Sequence, residues 1–212
     1  MNKERIPETV IRRLPKYFRY LKEMEERGAV RVSSSKMSRD LGFNASQIRR
    51  DLNCFGGFGQ QGYGYSVPKL RSEIARIMGL NREHTVAVIG AGNIGQALVS
   101  YDRFAREGFK VAAIFDVAPG RIGQEAGGQR IRPLSELEEF VKKTPVEIGV
   151  ICTPQSAAQD TADLLVRLGF RGIWNFAPID VQVPAGVSLE NVHLNDSLYV
   201  LAYRLRAESS EI

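Results

Sequence analysis

Six consecutive residues, Gly90-Ala91-Gly92-Asn93-Ile94-Gly95, carry the G-x-G-x-x-G spacing that seats a pyrophosphate at the start of a helix. Gly90 permits the tight turn, Gly92 lets the backbone approach the anion, and Gly95 lets helix and strand pack closely. Asp116 ends the next apolar run, 21 positions after Gly95. An acidic residue there accepts hydrogen bonds from a ribose hydroxyl and repels a 2′-phosphate, so the expected cofactor is NAD(H) rather than NADP(H). Two later apolar runs end in "ICTP" (Ile151–Pro154) and "NFAP" (Asn175–Pro178). The carboxyl ends of strands line the ligand crevice of an open α/β sheet, which makes Thr153, Pro154, Asn175, Phe176 and Pro178 candidates to surround a nicotinamide ring.

A second group of residues suits nucleic acid. In "ASQIRRDLNCF", Ser46, Gln47, Arg49 and Arg50 cluster on the exposed first turns of a predicted helix. Gln reads adenine bidentately, Arg reads guanine, and Ser reaches a phosphate or a base edge. The following "GGFGQQGYGYSV" reads as a Gly-rich hairpin. Gln60 and Gln61 stand at its tip, where a DNA-binding wing usually carries cations, and Tyr63 stands beside them. The charge agrees with this division. Residues 1–80 hold 16 Lys and Arg against 8 Asp and Glu, a net +8, whereas residues 81–212 hold 13 against 16, a net −3. A basic segment joined to a mildly acidic one points to a polyanion contact at one end of the chain.

Groups for acid–base catalysis are scarce. The two histidines, His84 and His193, do not follow strand ends near the glycine fingerprint. Tyr101 has Ala105 four positions on, not the Lys of a short-chain dehydrogenase, and neither H-E-x-x-H nor G-x-S-x-G is present. Cys54 and Cys152 have no metal or redox spacing and read as reduced thiols in or near cores. No catalytic or metal residue is therefore assigned, and the nucleotide pocket reads as a sensor's. No apolar run is long enough to span a bilayer, and the charged start lacks a signal-peptide core. The expectation is a cytoplasmic protein that does not contact membranes.

The elements that must position these groups fall into two sets. Val10, Ile11, Leu14, Phe18, Leu21 and Met24 form a helical stripe, with Pro15 kinking it or starting a second helix. "SSSKMSRDLG" is a Ser-capped short helix stopped by Gly42, and "ASQIRRDLNCF" buries Ile48, Leu52 and Phe55. Helix, short helix, turn, helix and hairpin is the order of a winged helix-turn-helix. Beyond "MGLNREHT", strands "TVAVIG", "KVAAIFD", "VEIGVIC" and "RGIWNFAP" alternate with helices "NIGQALVSYDRFAREG", "SELEEFVKK" (a Ser135–Glu138 capping box) and "SAAQDTADLLVRLG". This predicts an α/β, Rossmann-type doubly wound parallel sheet. The last helix, "NDSLYVLAYRLRAE", puts Leu198, Leu201, Ala202 and Leu205 on one face, for the sheet or for a second subunit. The expected domains are 1–80 (winged helix), 81–194 (Rossmann) and 195–212 (C-terminal dimerisation helix).

The chain resembles the Rex family of redox-sensing transcriptional repressors. The resemblance rests on "SQIRRDL", "FGGFGQQGYGY", "VIGAGNIGQAL", "IFD" with "GRIGQEAGG", and "NFAP", in the same order over nearly the whole chain. It implies a homodimer with a C-terminal helix swapped between subunits. It also implies binding to palindromic operator DNA, permitted by NAD⁺ and loosened by NADH. Ser46, Gln47, Arg49 and Arg50 match the family's recognition helix, and Gly90, Gly92, Gly95 and Asp116 match its NAD site. Arg19 and Tyr101 match an Arg and a Tyr that couple the nicotinamide pocket to the DNA-binding domain. The chain departs from the family at three places: Gln60 and Gln61 replace a basic pair, Cys54 and Gly57 replace a Tyr and a Glu, and His193 replaces an Asp. Beside Arg19, His193 is expected to be a neutral imidazole, leaving a hydrogen bond to Tyr101 at most. The competing readings are an NAD-dependent oxidoreductase with a helical N-terminal extension, and a CoA-binding domain.

Overall fold

The computed structural model describes residues 6–58 and 63–209, so Gln60 and Gln61 lie outside the described residues. The chain divides into two compact units, Met1–Arg82 and Glu83–Ile212.

The first unit begins with α1 (Glu8–Ile11) and α2 (Leu14–Glu26), separated where Pro15 enters the first turn of α2. Proline has no N–H to give and is pre-set for a helix start, so it opens the second helix instead of kinking one long one. Next come β1 (Arg31–Val32), α3 (Ser34–Leu41) and α4 (Ala45–Asn53). The Ser33 hydroxyl accepts the Lys36 N–H, and Gly42 closes α3 in the left-handed region at φ +71°. Asn44 caps α4 by accepting the Ser46 N–H. Of the hairpin expected over the wing, the tip lies outside the described residues, and β2 (Tyr65–Ser66) on its far side pairs antiparallel with β1. α5 (Val67–Ile77) completes the unit. Leu14, Tyr17, Leu21, Met37, Ile48, Leu52, Leu70 and Ile74 form one core. Each contributes about 1.5–3 kcal/mol of apolar burial, enough to hold helices this short. Cys54, read as a near-core thiol, is instead exposed just past α4.

The second unit runs β3 (His84–Ile89), α6 (Asn93–Val99), α7 (Arg103–Arg106), β4 (Phe109–Asp116), β5 (Glu125–Ala126), β6 (Gln129–Arg130) and β7 (Arg132–Pro133). It continues through a 3₁₀ turn into α8 (Leu137–Lys143), then β8 (Ile148–Ile151), α9 (Gln155–Arg167), β9 (Gly172–Asn175), β10 (Ser188–Asn191) and α10 (Asp196–Ser209). Six strands form one sheet in the order β10-β9-β8-β3-β4-β7, with every neighbouring pair parallel. Alternate residues serve opposite faces. Ala87, Ile89, Phe115 and Ile151 pack with Leu137, Ala158, Ala162 and Leu165 of α8 and α9. Val86, Val88, Ile114 and Val150 pack with Leu98 and Val99 of α6. Helices on both faces make the sheet doubly wound.

Several local expectations change. The helix read across 93–108 breaks between Val99 and Arg103, where the Ser100 hydroxyl donates to the Gln96 carbonyl at 2.8 Å. The Ser135–Glu138 capping box does not form, because the chain enters α8 through the 3₁₀ turn after Pro133, without a side-chain cap. α10 does not cover its own sheet: Leu198, Tyr199, Val200, Leu201, Tyr203 and Leu205 are all at least half exposed. The second face of the sheet keeps an apolar groove of about 660 Å³, floored by Val86, Val88, Val111, Val150 and Trp174.

Candidate ligand crevice and nucleic-acid surface

β3 has β4 on one side and β8 on the other, so the chain reverses its winding direction beside β3. The crevice of an open α/β sheet lies at such a point, outside the carboxyl ends of the strands. The Gly90–Gly95 loop stands there. Gly90 has φ +101°, and a Cβ on it would sit 2.5 Å from the Cys152 carbonyl oxygen. A Cβ on Gly95 would sit 1.9 Å from the Gly90 carbonyl oxygen, so α6 packs flush on its own loop. Gly92 differs, since a Cβ there meets nothing within 4 Å. The glycines thus close the loop onto β8 and leave open space in front of its middle. The Gln96 amide donates to the Ala91 carbonyl at 2.8 Å and holds the loop from behind. Beside it the Thr153 hydroxyl is buried without a hydrogen-bond partner. A buried hydroxyl left unmatched is costly, and its position at the β8 end suits a polar ligand atom.

Two of the expected contact residues do other work. Asp116 is only 5% exposed. Its Oδ2 accepts the Ala91 N–H at 2.7 Å and Arg121 Nη1 at 3.3 Å, while Oδ1 accepts the Ala118 N–H at 2.7 Å. Burial pushes its pKa up, but the Ala118 and Ala91 N–H groups and Arg121 outweigh that and hold it below the usual carboxylate range. Asp116 therefore ties the glycine loop to the turn after β4, at the position from which the sequence predicts a ribose contact. Asn175 is likewise fully buried: its amide donates to Ile179 O and Asn191 Oδ1, and its Oδ1 accepts the Ala177 N–H. It shapes the "NFAP" turn from within. Asn93, Ile94, Pro154 and Pro178 are exposed around the crevice.

Tyr101, 47% exposed in the break after α6, begins a chain of edge-to-face rings. It contacts Phe104 at 5.0 Å, Phe104 contacts Trp174 at 5.8 Å, and Trp174 contacts Phe176 at 4.6 Å. Phe104 and Trp174 had no motif to mark them, and only the fold brings them into line. Cys152, at the β8 end, has its thiol pushed up to about 12 by burial, so it is chemically quiet. His193 Nε2 lies 2.8 Å from Asp180 Oδ1. That hydrogen bond raises the His193 pKa above its ordinary value, with desolvation opposing it, so the imidazole faces Asp180 here and not the expected Tyr101. His84 pairs with Glu147 at the start of β3, at the strand's other end from the glycine loop. Among the described residues no group of three or more His, Cys, Asp or Glu is placed to hold a metal, and no helix is long and apolar enough to cross a membrane.

On the first unit, Ser46, Arg49 and Arg50 are exposed on α4 and Gln47 is half-buried, while Ile48 and Leu52 anchor the opposite side. Arg49 Nη1 donates to the Ser34 hydroxyl at 3.0 Å, which ties α4 to the start of α3. The anchor that sequence reading missed is Asp51. It accepts Arg13 Nε at 2.6 Å, Arg13 Nη2 at 2.8 Å and the Tyr17 hydroxyl at 2.7 Å. Arg13 and Tyr17 are one helical turn apart, but Asp51 lies 34 and 38 positions further on, so no local pattern announces the clamp. Burial and the Asp51 carboxylate together drive the Tyr17 pKa well upward. Arg31 was missed as well. It donates to the Tyr63 carbonyl at 3.0 Å, with its guanidinium over the Tyr63 ring at 5.6 Å, and so steadies the base of the wing. Arg19 is exposed on α2.

A helix-turn-helix unit with a basic exposed helix, followed by a Rossmann unit with a glycine-loop crevice, defines the class of ligand-responsive transcription regulators. Residues 5–53 match the family described as putative DNA-binding protein N-terminus, and residues 81–179 match the CoA binding domain family. Similarity to individual proteins runs almost end to end. A redox-sensing transcriptional repressor Rex of Clostridium perfringens is 50% identical over 203 residues, 96% of each chain. One from Thermoanaerobacter pseudethanolicus is 47% identical, covering 97% of this chain and 92% of its own. The crystal structure of RSP in complex with beta-NAD+ and operator DNA superposes with a TM-score of 0.91 at 46% identity, over 97% of this chain and 94% of that one. RSP in complex with beta-NADH gives 0.89 at 44% identity, over 96% of each. The chain belongs to the Rex family of redox-sensing transcriptional repressors.

Proposed function

We propose that this chain is a cytoplasmic homodimeric repressor that binds palindromic operator DNA and reads the NADH/NAD⁺ ratio, with NADH favouring release. The observation that carries the reading is its likeness along nearly its whole length to RSP, which has been crystallised with beta-NAD+ and operator DNA and with beta-NADH. The crevice fits such a cofactor: Gly92 leaves an open cradle and Thr153 offers an unmatched hydroxyl beside it. Gly90 to Gly95 would hold the pyrophosphate, with Asp116 keeping that loop in place. Thr153, Pro154, Phe176 and Pro178 would surround the nicotinamide, with Asn175 setting the turn. The bound nicotinamide supplies the redox difference; the chain has to convert it into a change of shape. The ring chain from Phe176 through Trp174 and Phe104 to Tyr101 is a packed route along which a shift at the "NFAP" turn moves Tyr101. Arg19, Tyr101 and His193 are the residues proposed to pass that shift on.

On DNA, Ser46, Gln47, Arg49 and Arg50 would meet base edges and phosphates in the major groove, and Gln60, Gln61 and Tyr63 would lie in the wing. α10 supports the dimer. Leu198, Tyr199, Val200, Leu201, Tyr203 and Leu205 form a contiguous exposed apolar stretch on it, and such a stretch marks a surface for another chain. The groove on the second face of the sheet offers the partner's α10 a place. The cofactor acts as a signal and is not consumed, in keeping with relatives described as repressors. The match of residues 81–179 to the CoA binding domain family favours coenzyme A as a second ligand reading. A gel-shift with palindromic operator DNA, titrated with NAD⁺, NADH and coenzyme A, tests both. Release by NADH alone is the expected result. Release by coenzyme A alone, or a shift that no nucleotide alters, refutes the redox reading.

A further inference from the structure

α6 stops at Val99 and α7 starts at Arg103, and Tyr101 stands in the break between them. A hairpin remote in sequence lies against that break. β5 and β6 pair antiparallel, Glu125 with Arg130 and Ala126 with Gln129, and the turn joining them is Gly127-Gly128, at φ +55° and +75°. Two positive φ values in a two-residue turn are the type I′ geometry of a tight hairpin. The tip touches the break backbone to backbone: a Cβ on Gly127 would sit 2.7 Å from the Val99 carbonyl oxygen and 2.9 Å from the Ser100 nitrogen. A Cβ on Gly128 would meet nothing within 4 Å. The rest of the hairpin is fixed. Ala126 and Ile131 are buried in the core that also takes Leu98 and Val99. The Gln129 amide donates to the Val111 carbonyl at 2.6 Å and ties the hairpin to β4. The Gly123 N–H donates to Ile131 O at 2.9 Å and the Ile131 N–H to Gln124 O at 2.8 Å, which closes the base. A close-packed part anchored in this way transmits a displacement and does not absorb it.

We propose that the β5–β6 hairpin is a strut that sets where the break at 100–102 stands, and that Gly127 is thereby a positioning residue for Tyr101 in the response to NADH. This rests on the reading of Tyr101 as a coupling residue given above. Gly127 acts through its missing Cβ, since only a glycine lets the turn lie flat on the Val99 carbonyl. The nucleotide end of α6 is spared, because the 7 residues of that helix put about 10 Å between the glycine loop and Val99.

The test compares Gly127→Ala with Gly128→Ala in the full chain. Both put an alanine at positive φ, so their backbone cost is alike, and only Gly127→Ala also meets the Val99 carbonyl. The single tryptophan reports on the break without DNA, through Tyr101, Phe104 and Trp174. Gly127→Ala should shift the Trp174 emission while the NADH Kd of the DNA-free chain stays within about threefold of wild type. It should also shrink the ratio of operator Kd with NADH to operator Kd with NAD⁺ by about fivefold or more, the lower end of an ordinary coupling between sites. Gly128→Ala should match wild type in all three readouts. Gln129→Ala frees the hairpin from β4 without a clash and should change both the emission and the ratio; it decides the matter if Gly127→Ala does not fold. A folded Gly127→Ala with wild-type emission and ratio overturns the proposal, as do equal changes in Gly127→Ala and Gly128→Ala, or a Gln129→Ala that behaves as wild type. Wild type whose operator affinity is the same with NADH and NAD⁺ overturns the redox reading instead, and the Trp174 emission of the variants then still decides whether the hairpin sets the break.

Discussion

Replacing Asp51 by alanine removes the acceptor of three hydrogen bonds at once and leaves their donors in place. Asp51 is 3% exposed, and its partner Tyr17 is fully buried. The stranded Tyr17 hydroxyl alone costs about 1–3 kcal/mol. Arg13, whose side chain is 18% exposed, loses a bidentate pair but keeps a path to water. Breaking a buried ion pair from one side costs about 3–5 kcal/mol, and the exposure of Arg13 favours the lower end. A loss of about 3–4 kcal/mol is therefore expected, against about 5–15 kcal/mol for a typical domain. Tyr17→Phe removes one bond and one donor together and should cost about 1 kcal/mol. The assay separates the two units. The single tryptophan, Trp174, lies in the second unit, so its fluorescence follows that unit, while far-UV circular dichroism follows both. Urea denaturation of Asp51→Ala should show an early loss of helix signal with the Trp174 transition unchanged. NADH should still bind, and the operator should not. If the helix transition of Asp51→Ala stays within about 1 kcal/mol of wild type, the clamp does not hold α4 and the reasoning fails.

Three further outcomes follow from the geometry. Arg49→Ala should lose about 1–3 kcal/mol more affinity for operator than for random DNA, as expected of a base contact; equal losses in a binding titration would make Arg49 a phosphate contact. The folded pKa of His193 is raised, so its pairing with Asp180 is complete below the ordinary value of about 6.5 and disappears as pH rises through the higher folded value. An NMR titration of the two imidazoles should find His193 with a midpoint above about 6.5 that Asp180→Asn brings down, and a wild-type midpoint at or below it would refute the pairing. Leu201→Glu should weaken the dimer by at least about 3 kcal/mol, roughly a hundredfold, because the two-fold axis counts each lost leucine twice; sedimentation that finds an unchanged dimer would place α10 outside the interface.

The larger elements were readable because their periods are strong. Leu14 and Leu21 mark α2, the apolar run 86–89 marks β3, and Ser33 with Gly42 brackets α3. What escaped depends on partners distant in sequence. β10 reads "SLEN", with little to mark a strand, and exists because β9 offers it a parallel ladder. The break after α6 falls at Ser100, whose hydroxyl and N–H both take the Gln96 carbonyl, and periodicity cannot register it. At the site, the glycine spacing announced the loop, and the open space at Gly92 agrees with it. Asp116 and Asn175 were flagged by position, but position says nothing of which groups saturate them. Their inward bonds depend on Ala91 and Ala118, and on Ile179 and Asn191, whose approach only the folded sheet decides.

The exposed apolar helix α10 also has a genetic consequence. If two chains exchange that helix, pairing depends on residues of the second unit, whereas α4 belongs to the first. A cell carrying one intact copy and one with a damaged DNA-reading unit would assemble them at random, and half of all assemblies would be mixed when the two are equally abundant. A palindrome requires two working half-site readers, so only a quarter of the pool would remain fully competent. Defects such as Asp51→Ala should therefore behave as dominant alleles when the chain is otherwise stable, whereas Leu201→Glu, which prevents partnering, should be recessive.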